Sequence, residues 1–150
     1  MNLTAESIDN LTLLITEEIH VKASLETTFA AILQEIGPQS RTPEGQSMNM
    51  KIEPWPGGRW YRDLGNDNGH LWGHVQAIKR PMLLEFTGPL FMSNAVISNI
   101  QYRLSESNGG TLIKFRHQAF GLMEEAYRTG VKGGWAHTHA AVRARAEAHS

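Results

Sequence analysis

The sequence predicts an α+β fold, in which helices cover one face of a curved antiparallel sheet of about six to seven strands. Two observations carry the prediction. Apolar and polar residues alternate with period 2 in seven segments between residues 13 and 120, and from Leu122 onward the period becomes 3.6. One helical stretch, residues 25–36, interrupts the alternating series near its start.

In chain order, residues 1–11 are polar and mixed and read as a loose lead-in. In LLITEEIHV (13–21), Ile15, Ile19 and Val21 share a face, which makes the segment a strand. Ser24 is an N-cap for a helix whose Phe29, Ile32, Leu33 and Ile36 fall at helical spacing. Gly37-Pro38 stops that helix, and 37–46 is a loop. Strands are expected at 48–55 and 58–64, separated by the corner PWPGG. Pro54 and Pro56 have no N–H to give a ladder, so the first strand ends there. Gly57-Gly58 accepts the angles of a tight turn or bulge, so the pair is a backbone requirement and the next strand follows at once.

Further strands are expected at 70–79, 83–87, 95–106 and 111–120, the last two joined by the hairpin signal SNGG. The final helix is expected over 122–148, with Tyr127, Val131, Trp135, Thr138, His139 and Val142 on one stripe. Gly130, Gly133 and Gly134 weaken its middle, so a break or close packing is expected there.

The bulk numbers narrow the function classes. With 150 residues, 41% hydrophobic and 19% charged, the chain reads as a single globular domain over 1–150. A net charge of −1 gives no reason to expect nucleic acid. There is no cysteine, hence no disulfide framework or thiol nucleophile. No apolar run is long enough to span a membrane and no signal peptide is visible, so a cytoplasmic location is expected. No phosphate-binding glycine loop, nucleophile elbow or paired-carboxylate signature occurs, and no cofactor is expected. A metal site is not expected either. His70 and His74 lie ~13 Å apart along a strand, too far for one ion.

Four motifs in order carry a resemblance: PGGRW at 56–60, Gly73 to Pro81 with Leu84 to Thr87, Gly109 to Phe120, and Gly134-Trp135. Over about residues 13–146 the chain resembles the START-like (SRPBCC, helix-grip) superfamily, in its branch of homologues of the heat-shock-chaperone ATPase activator. The resemblance implies a sheet wrapped around the long helix with a cavity between them. It also implies that Gly57-Gly58 lets the sheet curl at one end, and that Trp60 and Arg62 face inward.

Strand parity puts Phe115 and His117 on the inward face with Thr111 and Ile113, and Tyr102 inward with Ile100 and Leu104. Helix parity puts His139 on the stripe of Trp135 and Val142, where the branch usually has leucine. An inward imidazole needs a hydrogen-bond partner or a ligand. The expected ligand-binding set is therefore Trp60, Arg62, Tyr102, Phe115, His117, Trp135 and His139, with Glu17 as a counter-charge for Arg62. Each histidine also has a plainer reading as a core residue bonded to its neighbours. No residue is singled out as catalytic. Replacing His139 with leucine is expected to keep or raise stability and to weaken ligand binding.

The leading function is binding of a small hydrophobic molecule in the implied cavity, by a monomer or a homodimer. A cyclase- or aromatase-like enzyme using a histidine as general acid or base is the alternative. Modulation of a chaperone ATPase, suggested by the branch name, ranks below both. The eukaryotic activators carry a separate N-terminal domain for which this chain has no room.

Overall fold

The computed structural model describes residues 8–90 and 94–149. The expected lead-in over 1–11 therefore lies mostly outside the described residues. β1 (Thr12–Val21) is followed by α1 (Leu25–Ile36). Six strands come next: β2 (Met50–Ile52), β3 (Arg59–Gly65), β4 (Asn68–Lys79), β5 (Leu83–Gly88), β6 (Val96–Ser107) and β7 (Gly110–Gly121). α2 (Glu125–Ala148) closes the chain. The seven strands form one antiparallel sheet in the order β1-β7-β6-β5-β4-β3-β2. This is the α+β arrangement that the two periodicities predict.

The period-2 alternation becomes burial because one face of the sheet packs against the helices. Along β7, Thr111, Ile113, Phe115, His117 and Ala119 are buried, and along β6 so are Val96, Ser98, Ile100, Tyr102 and Leu104. Register places Tyr102 opposite Phe115 and Ile100 opposite His117. α1 begins as expected, with the Ser24 side chain accepting from the Thr27 N–H. Its C-terminal end is tied to the sheet, where Trp60 donates its indole N–H to the Ile36 carbonyl at 2.8 Å. That carbonyl has no partner within the helix, so the bond satisfies a group that would otherwise be buried unpaired.

Three local expectations change. The strand before the corner has three residues, not eight, because Asn49 takes a positive φ of 52° and Glu53 already turns toward Arg59. α2 starts at Glu125 and not at Leu122, since the Leu122 N–H still bonds to Ala95 beside the sheet. The helix also runs unbroken through its three glycines, and none is closely packed, as a Cβ on each would meet nothing within 4 Å.

At the corner, Gly57 has φ +82° and its N–H bonds to the Val75 carbonyl. A Cβ on Gly58 would lie 1.8 Å from the Glu53 carbonyl oxygen. The Gly58→Ala variant should therefore lose ~2 kcal/mol or more in denaturant unfolding. A loss below about 0.5 kcal/mol would mean the corner relaxes without cost.

Candidate functional site

Five of the seven sequence candidates meet in the core between β6, β7 and α2. Trp135 donates its indole N–H to His117 Nδ1 at 2.9 Å. An indole nitrogen can only donate, so Nδ1 is an acceptor and the ring proton sits on Nε2. From there it is given to Ser98 Oγ at 3.1 Å. His117 is fully buried, and burial pushes its pKa down to about 4. It is a neutral imidazole held in one tautomer.

His139 is set the opposite way. Its Nδ1 donates to Glu17 Oε1 at 3.0 Å, because a carboxylate only accepts. Its Nε2 then accepts the Tyr102 hydroxyl at 2.9 Å. Burial raises the Tyr102 pKa well above its ordinary value, and the Glu17 charge adds to the rise, so the phenol stays a donor. Trp135 joins the two histidines, since its ring stacks on His139 with planes 14° apart and centroids at 5.6 Å. Phe115 packs against Trp135, His139 and Tyr102 at 4.4–5.0 Å between centroids.

The expected partnership of Glu17 with Arg62 does not form, because Glu17 is taken by His139. Arg62 lies on β3 beside the edge strand, opposite Met50 and His70, half-buried, with a buried Nε that has no hydrogen-bond partner among the described residues. It stands apart from the five-residue cluster.

A cavity of about 400 Å³ opens beside this cluster. Its apolar walls are Trp60 and Trp72 from the sheet, Ile36 and Met48 around the end of α1, and Tyr127, Val131 and Trp135 from α2. Trp72 reaches the wall through a bulge. Trp60 pairs with Gly73 and Tyr61 with Leu71, so Trp72 is the extra residue and turns inward against Trp60 at 5.2 Å. Gly130 and Gly134, one helical turn apart, leave a bare strip on the helix side of the cavity between these side chains. Ser40, Arg41, Thr42, His137 and Thr138 add polar groups.

Of the candidates, Trp60 and Trp135 border this cavity. His117, Tyr102 and Phe115 lie behind Trp135, and His139 reaches a separate surface groove between β1 and α2 that it shares with Glu17, His20 and Arg143. The sequence reading missed the loop 40–48 and the glycine face. The i, i+4 spacing of Gly130 and Gly134 was the available signal for the latter. Among the described residues no group of three or more His, Asp or Glu could hold a metal ion.

Residues 22–147 match the family described as Activator of Hsp90 ATPase homolog 1-like protein. The chain belongs to this family. No curated protein matches it in sequence. Several solved structures share its fold. A putative uncharacterized protein from Rhizobium leguminosarum aligns with a TM-score of 0.69 at 17% identity, over 91% of this chain and 95% of that one. Ara h 8.0201 aligns with a TM-score of 0.63 at 14% identity, over 90% and 97%. The di-domain ARO/CYC StfQ from the steffimycin biosynthetic pathway aligns with a TM-score of 0.64 at 10% identity, over 95% of this chain and 52% of StfQ. At such identities the likeness is one of fold alone, the helix-grip fold. No described helix is long and apolar enough to cross a membrane.

Two outcomes follow from the bonding. The folded-state pKa of His117 lies below its unfolded value of 6.5, so between about 4 and 6.5 the unfolded chain binds the extra proton. The contribution of His117 is complete above pH 6.5 and is lost as pH falls toward 4. Urea unfolding should show wild type losing on the order of 3 kcal/mol more than His117→Leu across that window. An identical pH slope in both would mean that His117 takes up its proton without unfolding.

For His139→Leu the expected sign reverses. Leucine would leave the fully buried Tyr102 hydroxyl without its acceptor, so the variant should lose ~1–3 kcal/mol. Adding Tyr102→Phe should recover part of the loss. An unchanged or raised stability of the single variant would mean that the Tyr102–His139 bond contributes nothing.

Proposed function

We propose that the protein binds a small hydrophobic molecule in the cavity between α2 and the Trp60–Trp72 side of the sheet. The observation that carries this is a space of about 400 Å³ walled by three indole rings and aliphatic side chains, with two glycines on its helix side. Its volume lies in the range of sites for drug-sized ligands. Glycine inside a helix costs up to ~1 kcal/mol relative to alanine, and no neighbour needs the room at Gly130 or Gly134. The chain therefore forgoes helix stability at the positions where side chains would enter the cavity. In this reading Trp60 and Trp135 contact the ligand, while Tyr102, Phe115, His117 and His139 hold Trp135 in place.

The enzyme reading has one observation in its favour, the Glu17–His139–Tyr102 chain, a carboxylate-oriented imidazole of the kind that moves protons. Both ring nitrogens are already committed, however, and Trp135 stands between them and the cavity. Binding is the better-supported function.

The test uses N-phenyl-1-naphthylamine, an uncharged dye that brightens in apolar surroundings. Wild type should bind it. Gly134→Leu should be at least as stable, yet bind at least about tenfold more weakly. Dye affinity unaffected by Gly134→Leu would rule out this cavity as the site.

A further inference from the structure

We infer that the ligand is a hydrophobic acid, whose apolar body fills the tryptophan-walled cavity and whose anionic head meets Arg41 at the mouth. The inference rests on the cavity being the ligand site. Beside that cavity lies a second recess of about 180 Å³ that shares Arg41, Thr42, His137 and Thr138 with it. The shared residues carry a guanidinium, an imidazole and two hydroxyls, beside the apolar walls of the larger cavity.

Arg41 is fixed and has donors to spare. Its backbone forms an isolated bridge with Ser47, and its Nη1 donates to the Gly45 carbonyl at 3.1 Å. A guanidinium has five N–H donors, so most of its capacity stays open. Among the described residues no carboxylate forms an ion pair with it. The acid that lines the smaller recess, Glu35, is instead bound to Arg145 at 2.7 Å. A cation without a counter-charge at the mouth of an apolar cavity favours an anion there, and the planar fork suits a carboxylate. His137 and Thr138, from the helix side of the same recess, supply further polar contacts.

Two dyes separate the claims. N-phenyl-1-naphthylamine and 8-anilinonaphthalene-1-sulfonate share one ring skeleton, and the second adds an anionic group. Wild type should bind the sulfonate about tenfold more tightly than the uncharged dye. Arg41→Gln should remove that advantage while leaving the uncharged dye within about twofold, and Arg41→Lys should restore part of it. In competition, 2-naphthoic acid should displace the uncharged dye from wild type better than its methyl ester does, and the two should compete alike in Arg41→Gln. Equal wild-type affinity for both dyes, or equal weakening of both by Arg41→Gln, would overturn the inference while the cavity reading stands. If neither dye binds wild type, the cavity reading falls and this inference falls with it.

Discussion

Trp135 of α2 gives its N–H to His117 of β7, lays one face against His139 and packs at a tilt against Phe115. The same ring forms part of the cavity wall. Helix position, polar core and cavity shape are thus set by one side chain. The indole can donate a single hydrogen bond, so its rotation about α2 is limited by where His117 sits. His117 in turn is held by Ser98 on the neighbouring strand. A displacement of this ring would both unpair a buried imidazole and change the width of the cavity.

The core tolerates these six hydrogen-bonding side chains because their donors and acceptors match in sequence. Trp135, His117 and Ser98 form one run, and Tyr102, His139 and Glu17 form the other. Each imidazole uses one nitrogen as donor and one as acceptor, in opposite senses. Protonating His117 would turn its Nδ1 into a second donor facing the indole N–H, which is the local reason why its charged form is disfavoured beyond desolvation alone. Glu17 is the one member of these runs that remains partly open to water.

Much of this was legible in the sequence, because period and parity depend on neighbours in the chain. The inward faces of β6 and β7, and the stripe containing Trp135 and His139, could be read from spacing alone. The partner of Glu17 could not, since it lies on a helix 122 residues away. Nor could Trp72 be assigned to the cavity, because a bulge at that residue breaks the parity of β4. The cavity itself was displaced from its expected walls by the loop 40–48, whose backbone bonds carry no periodic signal. The glycines were read as a weakness in the helix. Their role depends on space, which a sequence does not display.

The pairing of β1 with β7 joins the first and the last strand in chain order, with Thr12 opposite Phe120. The other five pairings connect strands that follow each other in the chain. During synthesis, β2 to β6 can form successive hairpins as they emerge, but β1 has no partner until β7 has been made. For that interval the apolar side chains of β1, among them Ile15 and Val21, have no sheet to cover them. Its acidic residues Glu17 and Glu18 are then the charges that discourage pairing with another chain.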